Sequence, residues 1–154
     1  MSLRRLIHST GGASAAEFAM VLPLLLLFLF GIIDAGRLLW TVNKAEKATQ
    51  MGVRYAVVTN MVPEDLATND FALNNNVPGG DPVPTSEFDT TLCNETDCDP
   101  DWGHNSTAFT NVADRIAAFM PEVGPENIEI RYDNVGLGYA GDPNGPDVAP
   151  LVTV

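Results

Sequence analysis

Cations, cysteine and histidine are scarce in this chain. Its 154 residues carry 8 Lys and Arg against 20 Asp and Glu, with only 2 Cys and 2 His. His8 lies in a short basic stretch ahead of an apolar run, so a Ser-His-Asp or Cys-His arrangement would have to rest on His104 alone. Nothing in the surrounding sequence positions it. No phosphate-binding glycine loop, HExxH helix or paired CxxC motif is present. Carboxylates are abundant, but a run of like charge reads as a solvated face rather than as an acid/base pair. The expectation is a protein that is not an enzyme and needs no cofactor. From Asn60 to the C-terminus only Arg115 and Arg131 oppose 17 acidic residues, a net charge of −15. Such a surface repels phosphate backbones, and nucleic acid is excluded as a partner.

One long apolar run is present. Phe18 to Ile33 is sixteen residues without a charge, and apolar character resumes at Leu38, Leu39, Trp40 and Val42 after Asp34 and Arg37. A helix over 18–42 is about 37 Å long, against a hydrocarbon core of about 30 Å. Leu24-Leu25-Leu26-Leu27-Phe28-Leu29-Phe30 is apolar on every face, which a buried helix of a soluble protein does not require. The run therefore reads as a membrane span, with Trp40 at an interfacial position.

Directly before that run stands Gly12-Ala13-Ser14-Ala15-Ala16-Glu17-Phe18. A secretory signal peptide is cut after its apolar region; a cut after Gly12 falls before it and leaves the apolar helix on the mature chain. Ala13 then becomes the first mature residue, Glu17 the fifth and Phe18 the sixth. Arg4-Arg5 reads as orienting the anchor rather than as a twin-arginine signal, because Leu3 precedes the pair and the run that follows is too apolar.

The stretch Gly11-Gly12-Ala13-Ser14-Ala15-Ala16-Glu17-Phe18-Ala19-Met20-Val21-Leu22-Pro23 resembles the TadE-like family of pseudopilins, small single-pass proteins of the tight-adherence pilus system. The resemblance continues through Gly31-Ile32-Ile33-Asp34-Ala35-Gly36-Arg37-Leu38-Leu39 and Gly52-Val53-Arg54-Tyr55-Ala56 and covers about the first third of the chain. It implies a type IV prepilin leader, with Gly12, Ala13, Glu17 and Phe18 as the processing residues and a prepilin peptidase, other pilins or pseudopilins and the assembly platform as partners. It also implies that Glu17 supports processing or subunit registration. A carboxylate at the edge of an apolar helix is costly in hydrocarbon and becomes tolerable beside an opposite charge, which the new ammonium of Ala13 on an adjacent subunit would supply. A helix-end carboxylate favoured by the N-terminal dipole is the plainer alternative.

Counting positive charges gives Arg4 and Arg5 on one side of the span and Arg37, Lys44, Lys47 and Arg54 near the other, which alone would place the distal part in the cytoplasm. The leader argues the opposite, since prepilin-type leaders are cut on the cytoplasmic face, and the cysteines suit an oxidising compartment. The expected location is the bacterial inner membrane, single-pass, with a periplasmic distal domain.

Four segments are expected: a leader over 1–12, a transmembrane and stalk helix over 13–58 with Pro23 as its irregularity, an acidic turn-rich loop region over 59–106, and a helix plus β-strand region over 107–154. Asp34 and Arg37 stand at i, i+3 and can pair. Ala48, Gly52 and Ala56 recur every four residues and form a smooth strip for packing against the chain's own sheet or against another subunit; the second use makes them, with Glu17, candidate assembly residues.

Cys93 and Cys98, with four residues between them, suit a disulfide that pins a small loop. Zinc held with His104 is the alternative, one ligand short unless Asp97 or Asp101 joins. Asp97, Asp99 and Asp101 open like a calcium loop, but Trp102 and Ala108 stand where an EF-hand needs Gly and Glu. Further on, Asn105 or Ser106 caps a helix to about Met120 with Phe109, Val112, Ile116 and Phe119 on one face. Residues 127–132 alternate as a half-buried strand, and 151–154 read as a second strand, either of a truncated product or one that completes a sheet edge with a partner.

The expected fold is α+β: a long N-terminal transmembrane and stalk helix followed by a small periplasmic domain with one helix and a short antiparallel sheet. The expected function is that of a minor pilin or pseudopilin in assembly of a tight-adherence, type IVc-like pilus. The alternative is a membrane-tethered periplasmic binding module that never enters a filament.

Overall fold

The structure is a computed structural model describing residues 10–154. It divides into two compact units, one ending at Asn43 and one running from Lys44 to Val154.

Helix α1, Thr10–Ala56, is 47 residues long and runs through Pro23 without a break. Proline at 23 leaves the Ala19 carbonyl without its i→i+4 donor, a defect that a neighbouring helix can repair in a bilayer. Arg54 in the last turn sits where a cation is favoured by the helix dipole. In the first unit the apolar side chains are exposed on every side, with Phe18, Phe28, Ile32 and Trp40 all more than half exposed. Water does not solvate such a surface cheaply at about 25 cal/mol per Å². Ser14–Ala56 is the one helix among the described residues long and apolar enough to cross a membrane, with a mean hydropathy of 2.5 in its most apolar window.

The second unit holds α2 (Glu64–Thr68), α3 (Phe71–Asn74), β1 (Thr91–Cys93), β2 (Cys98–Asp99), α4 (Ser106–Ala117), a 3-10 turn (Pro125–Asn127), β3 (Ile130–Asp133) and β4 (Leu151–Thr153). The strands form one sheet in the order β2-β1-β3-β4, antiparallel throughout. Alternation sets its faces: Ile130 and Tyr132 of β3 are buried and Arg131 is exposed, while Thr91 and Cys93 of β1 are buried beside them. Helix α4 starts at Asn105, whose side-chain oxygen accepts the Ala108 N–H at 2.9 Å. Its Phe109, Val112 and Ile116 join Val62, Ile128, Ile130 and Tyr132 in the main core, and Phe119 packs half-buried at its margin.

The stretch 59–106, expected as a turn-rich loop region, is mostly turns and irregular chain but also carries short elements and a core. It supplies α2, α3, β1 and β2, and its Leu66, Phe71, Val77, Val83 and Phe88 build a second core with Ala140 and Val148. Those apolar residues are spaced five or six apart, which matches neither the 3.6 nor the 2 periodicity by which elements are read. Each turn drops one side chain inward, and the backbone is satisfied by the later connection: Val83 N–H donates to Gly138 C=O, Ala140 N–H to Asp81 C=O and Gly80 N–H to Ala140 C=O. Gly138, at φ +116°, is held so close to the Asp147–Val148 backbone that no Cβ fits.

Candidate functional site

Gly12 and Ala13 lie in the first turn of α1, and Glu17 and Phe18 follow about one turn later. Arg4, Arg5 and the rest of 1–9 lie outside the described residues. A helix's first turn has no internal partner for its N–H groups, and Gly11-Gly12 weakens it by about 1 kcal/mol per glycine. The Gly12–Ala13 bond therefore sits where local unwinding costs least. Glu17 is exposed, as is Phe18 at 65 %. The ion pairs among the described residues are Lys44–Glu122 and Arg131–Asp133, so Glu17, Asp34 and Arg37 have no charged partner there. The Asp34–Arg37 pair that their spacing allows is not formed.

The strip Ala48, Gly52, Ala56 is buried against the chain's own second unit. A Cβ at Gly52 would lie 2.7 Å from Ile116 Cγ1 and 2.9 Å from its Cδ1, so the glycine exists to let α1 meet α4. This corrects the reading of Ala48, Gly52 and Ala56 as subunit-assembly residues: small side chains do allow close approach, but the approaching element is internal. Lys44 reinforces the same contact, its ammonium 2.9 Å from Glu122 and holding that exposed carboxyl below the usual carboxylate range.

At the far end of the sheet, Cys93 and Cys98 face each other across the β1–β2 pair and are joined, Sγ to Sγ, with their Cα atoms 4.0 Å apart. Between them Asn94 folds the tip: its Oδ1 accepts the Thr96 and Asp97 N–H groups at 2.7 and 3.0 Å. His104 Nε2 lies 3.0 Å from the Asn94 carbonyl. The thiols are thus bonded to each other and the imidazole is engaged by the turn. The structure does not bring Asp97, Asp99 and Asp101 together; among the described residues no group of three or more His, Cys, Asp or Glu is placed to hold a metal ion.

Asp147 is the residue that sequence reasoning missed. It is 4 % exposed and accepts three backbone N–H groups, from Phe71 at 2.7 Å, Gly141 at 2.8 Å and Asp142 at 2.9 Å. Burial pushes its carboxyl up, but the N–H donors of Gly141, Phe71 and Asp142 together outweigh it and hold the group below the usual carboxylate range. Its only sequence signal was an acid inside a Gly/Pro-rich connection. Tyr132 is buried too; burial raises its phenol, and its oxygen accepts the Val62 N–H at 3.2 Å.

The geometry defines a class: a single-pass membrane protein whose apolar helix, carrying an exposed acid near its start, runs on into a small α+β domain stapled by one disulfide. Residues 12–54 match the family of TadE-like proteins. The match takes in the whole apolar run and ends at Arg54, inside the Gly52–Ala56 stretch. No curated protein and no solved structure matches the chain.

Proposed function

We propose that the chain is a minor pilin or pseudopilin of a tight-adherence, type IVc-like pilus, held in the bacterial inner membrane with its distal domain in the periplasm until assembly. A prepilin peptidase removes residues 1–12, and the freed Ala13 ammonium of one subunit meets Glu17 of the next. The role is structural, without catalysis. One observation carries the reading: the TadE-like match begins at Gly12, on a helix whose exposed Glu17 is the fifth residue after that glycine and has no charged partner among the described residues. In a membrane such an acid calls for a partner from outside the chain.

The test is the intact mass of the protein from membranes of cells with an active prepilin peptidase. Loss of residues 1–12 is expected in the wild type and their retention in Gly12→Leu. A wild-type chain that keeps its leader overturns the proposal.

A further inference from the structure

The second unit has five cations, Lys44, Lys47, Arg54, Arg115 and Arg131, and three are occupied. Lys44 is paired with Glu122, Arg131 with Asp133, and Arg115 lies over the Phe119 ring, 5.8 Å from its centroid. Lys47 and Arg54 are exposed and have no charged partner among the described residues. Seven residues apart on α1, they fall 20° short of two full turns and so share a face, about 10 Å apart along it.

Three residues beyond Arg54 the chain enters an open groove of about 990 Å³. Val57 and Val58, 56 % and 77 % exposed, line it together with Pro150 and Val152. Its charges are all acidic: Glu64 and Asp142 line it, and no Lys or Arg does. Both acids are exposed; Asp142 accepts the Asn144 N–H at 2.8 Å, and the Glu64 carboxylate has no hydrogen-bond partner among the described residues. A groove whose charged lining is all acidic and a helix face with two spare cations are thus complementary in charge on one chain.

We infer that the groove receives the Lys47–Arg54 face of a second copy of this chain. Because donor and acceptor surfaces differ, the contact is head-to-tail, and each copy that docks leaves a free groove or a free face for the next. Exposed ion pairs each contribute little, so the contact is weak in dilution and needs copies confined to one membrane, where the effective concentration is high. This inference rests on the membrane anchoring of the proposed function but not on leader cleavage.

The test uses the full chain in lipid vesicles, with carbodiimide joining carboxylates directly to amines, and a mixture of isotope-labelled and unlabelled chains to mark links between copies. Lys47 of one copy is expected to link to Glu64 or Asp142 of another, with the yield falling at least tenfold in 0.5 M salt, where screening lengths shrink to a few ångström. A groove variant, Glu64→Lys with Asp142→Asn to keep the turn's acceptor, and a helix variant, Lys47→Glu with Arg54→Glu, should each lose at least tenfold in links alone. Mixing the two should restore links between them, since one retains the helix face and the other the groove. Each variant must keep its Cys93–Cys98 bond and the wild-type circular dichroism. Copies that link only elsewhere, or folded variants that fail to restore each other, overturn the docking inference. Leader mass, read separately, leaves it or the pilus proposal standing alone.

Discussion

The two units use polar groups in opposite ways. Up to Asn43 the chain is almost bare of them, its apolar side chains exposed on every face of one helix, and its few charges lack partners among the described residues. From Lys44 onward acids are plentiful, and one of them, Asp147, is buried and organises the second core through three backbone N–H groups. A charged group in the first unit is left without an ion-pair partner by the described residues. A buried one in the second unit marks a place where the chain has satisfied itself. The difference follows from solvent: a helix meets its own backbone needs and can stand in lipid, whereas loops must find donors and acceptors among themselves.

Changing the exposed acid of the first unit should break this contrast most sharply. Glu17→Gln keeps the side chain's size and removes its charge, so membrane insertion and the folding of the distal unit should be unchanged while incorporation into a pilus is lost. Fractionation and filament yield at equal protein levels read this out. Normal filaments would leave the helix dipole as the better account of Glu17.

The same kind of change in the second unit should instead cost stability. Asp147→Ala strands three buried donors and should destabilise the distal unit by about 3–5 kcal/mol, read by pulse proteolysis of the full chain in urea. Asp147→Asn keeps one acceptor oxygen and should cost less, but it must remove a pH dependence. The folded-state carboxyl lies below its ordinary value, so its contribution is complete above about pH 4 and is lost as pH falls through the lower folded value. Wild type should weaken over that window, with the Asn variant showing a smaller change.

Next in size is the staple. Replacing Cys93 and Cys98 by Ser should cost about 2 kcal/mol for so short a loop. Thiol labelling of the unfolded, unreduced chain should find no free thiol, and two would return the pair to a spectator role. Smallest is Tyr132→Phe, which leaves the Val62 N–H without its acceptor for about 1 kcal/mol, measured by the same proteolysis.

The readable features were those with a local cause. An all-round apolar run carries its signal in its own composition, so α1 was legible to within a few residues of Ala56. The α4 stripe of Phe109, Val112 and Ile116 and the alternation of Ile128, Ile130 and Tyr132 carry their periods openly, and each is buried as its period requires. The residues proposed for processing carry their signal in their order along the chain and not in what they touch.

What the sequence by itself determined, then, is the long apolar helix and the helix and strand of the main core, because period is a property of neighbouring residues. Tertiary structure alone decided the rest. It turned Ala48, Gly52 and Ala56 inward, since a strip of small residues specifies close approach but not by which partner. It turned 59–106 and the 133–150 connection into a second core, since apolar residues five or six apart show no period until two distant segments close around them. And it gave Asp147 its place, because a carboxylate becomes a structural centre only when donors from positions 71, 141 and 142 are brought to one point, which no stretch of neighbouring sequence records.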